Sequence, residues 1–413
     1  MAEASATLRS FREIMGEDAT PAMSPEDKLC LLLARGRLSP ELQTRILDYL
    51  GSLLQWPMVL ERAYAHQVYP LLYRNLRLLG FPGVPPAVQT ELKSAYLANA
   101  LRNQLFAEEL ARLLKLLGEA GIPVIPLKGV TLAQSLYGDP AARVCSDIDI
   151  LVPPTKVAQA IDLILASGYR SDFNDSFFLK VVQRHGRHYD AVREDRGISL
   201  LLELHWKLVQ HSSRDNDAVQ DLWAGCRSQS FLGVPAYSLT PEWEFLYLCI
   251  HATDHEWRSL KWLVDIHEIA SSRRVDWQCV RKKAEEFEVG LAVRQTLAAC
   301  SHLLGTRLPA YYSSVSLPEG VRLFPYLRVP VGDAQNAFAF RHLRLLTRPW
   351  DKLRYFATVV FAPQLTDRDF LRLPPALGFL YYAIRPLRLA WKWGWQFLQA
   401  GCGLPRNKSR ARF

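Results

Sequence analysis

From Ser146 to Val152 the chain reads Ser-Asp-Ile-Asp-Ile-Leu-Val, an alternation of polar and apolar residues. A period of two belongs to a strand and not to a helix. On a strand, residues two apart face the same side, so Asp147 and Asp149 present their carboxylates together while Ile148 and Ile150 enter a core. This part of the chain is thereby committed to a sheet with one apolar face and a pair of acids on the other.

The neighbouring segments agree with that frame. Ile122-Pro123-Val124-Ile125-Pro126-Leu127 is a short apolar run that suits a buried strand, ended by Lys128-Gly129. Thr131 to Tyr137 is predicted to be a short helix. Thr155 to Ser167 has helical spacing through Val157, Ile161, Ile164 and Leu165, with Gly168 as its C-cap. Ile198 to Leu204 is predicted to be another strand. Helix and strand interleave here, which points to a compact mixed sheet.

On either side the pattern is helical. Pro25-Glu26-Asp27 opens a run with Leu29, Leu32 and Leu33 on one face, and Ser39-Pro40-Glu41 opens another with Leu42, Ile46 and Leu50. The loop from Gly80 to Pro86 punctuates this lobe, and an amphipathic stretch from Val88 to Leu117 leads to Gly121. After Pro235 the chain is helical again, richest in large apolar residues between Pro241 and Ser272. The resulting division is a flexible N-terminus at 1–24, a helical lobe at 25–120, a sheet-bearing core at 121–210, a second helical lobe at 211–345 and a basic aromatic tail at 346–413. The fold class expected is α+β.

Paired carboxylates on a strand are what phosphoryl transfer asks for. A triphosphate repels an incoming nucleophile, and metal ions held by hard oxygen ligands neutralise it and activate the attacking hydroxyl. A third carboxylate on a neighbouring strand would complete such a site. Glu203 fits, inside Leu200-Leu201-Leu202-Glu203-Leu204-His205, with His205 on its face. The bland reading is that Asp-x-Asp marks a solvated strand end. Against it, an acid within Leu200–Leu204 is costly to bury without a cation or base beside it.

With these residues in place, the chain resembles the DNA polymerase beta-like nucleotidyltransferase superfamily. The resemblance is carried by Lys128-Gly129, Arg143 and Ser146-Asp147-Ile148-Asp149-Ile150-Leu151-Val152, then Glu203-Leu204-His205-Trp206. It continues through His251…His255-x-Trp257…Leu260-Lys261-Trp262…Asp265, and includes Trp56…Ala63-x-x-His66 in the helical opening. It spans roughly residues 28–270. It points to an uncharacterised bacterial branch found among surface-polysaccharide and peptide natural-product genes. The resemblance implies a small nucleotidyltransferase core flanked by helical regions, two Mg²⁺ ions and an NTP substrate. It implies Asp147, Asp149 and Glu203 as metal ligands, with Glu203 the acid that activates the acceptor hydroxyl. Lys128, Gly129, Arg143, Ser146, His205 and Lys261 are the nucleotide-binding residues it implies. The sequence departs from the superfamily at the turn, where Lys128-Gly129 stands in place of Gly-Gly or Gly-Ser, and in a longer gap from Gly129 to Asp147.

Other residues carry weaker signals. His251 and His255 are four apart on a helix, which suits a metal, but no further ligand pattern follows and a packing role is favoured over zinc. Lys261 and Asp265 are also four apart, as an ion pair would be. The seven cysteines are scattered without a Cys-x-x-Cys spacing, which fits a reducing cytoplasm, and Met1–Met23 has no apolar run behind a basic flank, so no signal peptide is expected.

The net charge of +9 is a property of the tail, because Phe370–Phe413 carries eight basic residues and no acid. The rest is left near neutral, so a nucleic-acid partner is not expected. Within the tail, Leu377 to Gln399 combines Tyr381, Tyr382, Trp391, Trp393 and Trp395 with Arg385, Arg388 and Lys392. Three charges and Pro386 oppose a membrane span, since each charge costs ~2.5–3.5 kcal/mol at the bilayer centre. Two readings stay open: peripheral contact of 377–412 with an anionic inner membrane face, or a helix packed on the body.

The function expected is transfer of an NMP from an NTP to an acceptor hydroxyl on a small molecule, saccharide or protein, releasing pyrophosphate. The competing class is a catalytically inactive nucleotide-binding regulator or scaffold of the same fold.

Overall fold

The computed structural model describes residues 23–173, 175–209, 214–272, 275–313 and 348–401. Its centre is a four-stranded mixed sheet made of β1 (Ile125–Pro126), β2 (Ile148–Leu151), β3 (His188–Asp195) and β4 (Ile198–His205). The strand order is β1-β2-β4-β3. β2 and β4 run parallel, while β1 and β3 are antiparallel to their neighbours. The α+β expectation holds.

β1 is shorter than the apolar run around it. Pro123 and Pro126 have no N–H to give a ladder, so only two residues pair, and Leu127 N–H extends the contact to the Asp149 carbonyl at 3.0 Å. β3 and β4 form a hairpin whose two turn residues, Arg196 and Gly197, both have positive φ (49° and 75°). That is the type I′ geometry that matches strand twist.

Helices cover the sheet and build the flanks. α1 (Pro25–Leu33) and α2 (Pro40–Leu50) start at Ser24 and Ser39, whose side chains accept backbone N–H groups of the first turn. α3 (Trp56–Ala65) and α4 (Tyr69–Leu78) complete that group. α5 (Pro86–Glu119) has 34 residues, about 50 Å at 1.5 Å per residue. α6 (Val130–Tyr137), α7 (Val157–Ala166) and α8 (Ser176–His185) lie between the strands in sequence. After the sheet come α9 (Asp215–Gly225), a second hairpin of β5 (Arg227–Phe231) and β6 (Val234–Ser238), then α10 (Pro241–Asp254), α11 (Leu260–Ser271), α12 (Trp277–Glu286) and α13 (Gly290–Leu304).

Two apolar cores result. In the first, Ile148, Ile150, Leu200, Leu202 and Leu204 pack against Leu113 and Leu117 of α5 and Ile161 and Ile164 of α7. In the second, Leu29, Leu32, Ile46 and Leu72 share one cluster with Phe245, Leu263 and Leu297, so helices from before and after the sheet close on each other. The long helix α5 joins them, with Val88 and Leu92 in one core and Phe106 to Leu117 in the other.

Of the C-terminal helices α14 (Pro349–Phe361), α15 (Leu365–Phe370) and α16 (Tyr381–Gly401), α16 meets α8 through Tyr381 and α15 through Arg368, while α14 packs on α16. Tyr381 is buried between Phe177 and Phe178, and Arg385 and Arg388 both reach the buried carboxylate of Asp367 at 3.2 and 2.6 Å. This stretch of the tail therefore packs on the body. Arg406, Lys408, Arg410 and Arg412 lie outside the described residues. Among the described residues no helix is long and apolar enough to cross a membrane.

Candidate active site

The alternation that buries Leu200, Leu202 and Leu204 turns Glu203 and His205 to the opposite face of the sheet. The parallel β2–β4 register sets Asp149 directly across from Glu203 and Leu151 across from His205. Asp147 lies one residue before β2, at the more open edge of the group. Lys128 enters from the turn after β1. Its Nζ is 2.9 Å from Asp147 Oδ2 and 2.7 Å from Asp149 Oδ2, with a side chain only 4% exposed. His205 Nε2 lies 3.2 Å from both Asp149 Oδ1 and Glu203 Oε2.

Gly129 makes this approach feasible. Its φ is +76°, and a Cβ there would meet the Asp147 carbonyl at 3.5 Å. A glycine accepts that backbone conformation without strain. It is also the N-cap of α6, so the turn delivers the free N–H groups of a helix start beside the acidic pair.

The charges reinforce one another. Burial opposes the Lys128 ammonium, but Asp149 and Asp147 outweigh it and hold the lysine well above its ordinary value. Burial likewise opposes ionisation of Glu203, yet the hydrogen bond from His205 and the charge of Lys128 bring it down to about 2. His205 is pulled down by burial and raised more strongly by Asp149 and Glu203, for a net upward shift. At neutral pH the Lys128 ammonium and the Glu203 carboxylate are thus both held in their charged forms.

Three further residues join the group without having been singled out in the sequence. Asp190 of β3 stands opposite Glu203 in the antiparallel register. Burial and the Glu203 charge raise its carboxyl to about 6. His188 places its ring 5.1 Å from that of His205. Tyr247 of α10 presents a buried hydroxyl without a hydrogen-bond partner, and feels the charges of Asp149 and Glu203. The available signal was His188-Tyr189-Asp190-Ala191, where buried Tyr189 and Ala191 alternate with the two polar residues.

Arg143 and Lys261, also expected at the site, make their contacts at the loop between α6 and β2. Arg143 is buried, with its Nε 2.9 Å from Asp265 Oδ2, and its carbonyl accepts from Asn99 and Asn103 of α5. Tyr137 donates to the other Asp265 oxygen at 2.7 Å. These contacts brace the long loop between α6 and β2. Lys261 and Asp265 are not paired with each other: Lys261 Nζ donates to the Val144 carbonyl at 3.0 Å, and burial, with Arg143 nearby, lowers it to about 7. Each has a better-placed buried partner across the loop. Ser146 is exposed just ahead of Asp147.

His251 and His255 pack their rings against each other and against Trp262, tilted or edge-on with ring centres 4.6, 5.4 and 4.9 Å apart, and His267 contacts Thr306 at 2.8 Å. Among the described residues, the group able to share a metal ion is Asp149, Glu203 and His205, whose ligand atoms lie within 4.8 Å of one another. The fit to a divalent cation is good. Two carboxylate oxygens and an imidazole nitrogen converge, and His205 Nδ1 is buried without a hydrogen-bond partner, which leaves the ring tautomer undetermined by any second bond.

No curated protein matches this chain. Among solved structures, it is similar to an antigenic nucleotidyltransferase-like protein from Paracoccidioides brasiliensis, at 17% identity and a TM-score of 0.33, over 50% of this chain and 94% of that one. A family described as uncharacterised nucleotidyltransferase matches residues 52–305, which is more than half of the chain and takes in every residue of the site above. The chain belongs to this nucleotidyltransferase family.

Proposed function

We propose that the protein is a Mg²⁺-dependent nucleotidyltransferase that moves an NMP from an NTP to an acceptor hydroxyl and releases pyrophosphate. The observation that carries the reading is the in-register pair Asp149 and Glu203 on parallel strands, with Asp147 at the edge and His205 touching both. Asp147, Asp149 and Glu203 would hold the metal, with His205 in reach. Bound there, the ion neutralises phosphate charge and makes the acceptor hydroxyl more acidic.

The chain's own residues supply the remainder. Lys128 has three N–H donors; it donates one to Asp147 Oδ2 and ion-pairs with Asp149 Oδ2 at 2.7 Å, which leaves a donor for a phosphate oxygen. The start of α6 at Gly129 offers backbone N–H groups to the triphosphate. Glu203, at about 2, is a firm anionic ligand and a poor proton acceptor. Asp190, at about 6 and opposite it, is the better base for the acceptor proton. Incubation of the protein with each α-labelled NTP, Mg²⁺ and lysate tests the reading through label on an acceptor and stoichiometric pyrophosphate. A nucleotide-binding regulator or scaffold would bind NTP and yield neither.

The tail's contact with an anionic membrane surface is a separate proposal. It is favoured by the exposed Trp350 of α14 and Leu387 and Trp391 of α16, at 68%, 72% and 76%, and by the exposed cations Lys352, Arg372 and Lys392 of the same stretch of chain.

A further inference from the structure

We infer that this site takes one divalent ion per chain, held by Asp149, Glu203 and His205, and that the Lys128 ammonium fills the place of a second ion between Asp147 and Asp149. The inference rests on the nucleotidyltransferase reading and deepens it, by moving Asp147 from metal ligand to lysine partner.

The geometry separates the two oxygens of Asp149. Oδ2 faces Lys128 Nζ at 2.7 Å, and Oδ1 faces His205 Nε2 at 3.2 Å. One carboxylate thus bridges two positions where positive charge is stabilised, as a carboxylate shared between two ions would. At the first position the cation is covalently part of the chain. Lys128 also engages Asp147 Oδ2 at 2.9 Å, and its side chain is 4% exposed. An ammonium so enclosed cannot leave for water without abandoning both acids. A divalent ion entering beside it would meet a like charge that already sits within 2.9 Å of both its ligand oxygens.

The second position is different. His205 Nε2 lies 3.2 Å from Asp149 Oδ1 and from Glu203 Oε2, so the two oxygens and the nitrogen converge on a single point. The ligand atoms stay within 4.8 Å of one another. Replacing the imidazole proton by a metal ion leaves two oxygens and one nitrogen as ligands, a set that Mn²⁺ accepts. The departure Lys128-Gly129 therefore has a chemical role, since a small residue in place of Lys128 would leave both positions to metal ions.

The test counts Mn²⁺ on the full chain by the electron paramagnetic resonance signal of the free ion, without nucleotide. The wild type is expected to bind one ion, Lys128→Arg also one, and Lys128→Ser two. Electron spin-echo modulation should show an imidazole ¹⁴N coupled to Mn²⁺ in the wild type and lose it in His205→Gln. Two ions on the wild type, or a bound ion without ¹⁴N coupling, overturns the inference, and neither result needs a variant to fold. Lys128→Ser that folds and still binds one ion overturns the lysine's part. The count is independent of turnover: two ions with NMP transfer would sink this inference alone, and one ion without transfer would sink the proposed function alone.

Discussion

Asp149 and Glu203 face each other across neighbouring parallel strands, and His205 Nε2 lies 3.2 Å from a carboxylate oxygen of each. A parallel pair needs a crossover between its strands. Here α7, α8 and β3 make that crossover, so the two acids sit 54 residues apart in a chain that folds them side by side.

If Asp190 accepts the acceptor proton, the rate should follow its ionisation. An acid raised to about 6 is protonated, and useless as a base, below that pH. Turnover is expected to fall as pH drops through about 6. Asp190→Asn should lose on the order of 10²–10⁴ in rate and flatten that acid limb. A variant with an unchanged pH profile would remove Asp190 from the chemistry.

Arg143 and Asp265 form a buried ion pair with side chains 3% and 0% exposed. Removing one partner of such a pair strands the other, at a cost of about 3–5 kcal/mol. Arg143→Leu should lower the thermal midpoint strongly, while protein that remains folded binds NTP with its affinity intact. Lost NTP affinity at an unchanged midpoint would return Arg143 to the phosphates.

Two histidines away from the site set a pH limit on stability. Burial holds His66 at about 4, and burial with Arg35 nearby holds His267 at about 3, both below the ordinary 6.5. The unfolded chain binds these protons more readily, so their contribution is complete above pH 6.5 and declines as pH falls through about 4 and then 3. Denaturation of His267→Gln at a series of pH values should show a shallower loss of stability across that window. A slope equal to the wild type's would contradict this.

The tail calls for surface substitutions and not a truncation, because Tyr381 fills the space between Phe177 and Phe178. Trp350→Ser with Trp391→Ser should release the protein from anionic vesicles and leave neutral vesicles unbound throughout. Each cation near such a surface contributes about 1 kcal/mol, so salt should weaken the wild-type binding. Equal sedimentation of variant and wild type would end the membrane proposal.

The legible parts of this fold were those with a clean period. Asp147 to Ile150 alternates acid and apolar residues and Leu200 to Leu204 buries alternate residues, and the sheet follows from them. The strand β3 was not legible, because its burial pattern is only partial and its turn is Arg196-Gly197, where a hairpin is more readily read from Asn-Gly or Asp-Gly. The hairpin β5–β6 turns at Leu232-Gly233 in the same way, with φ of 49° and 81°. Missing β3 also hid His188 and Asp190. The resemblance placed Arg143 and Lys261 with the nucleotide because it carries residue types and order. It does not carry the contact with Asp265 or with the Val144 carbonyl, which only the packed loop creates.

The central claim rests on Asp149, and one assay addresses it. Wild type and Asp149→Asn are incubated with α-labelled NTP, Mg²⁺ and lysate, after circular dichroism shows that both are folded. Labelled acceptor and pyrophosphate are expected in equal amounts from the wild type, and neither from the variant. Equal labelling by both proteins, or pyrophosphate release that survives loss of Asp149, would contradict a metal-dependent transfer at this site.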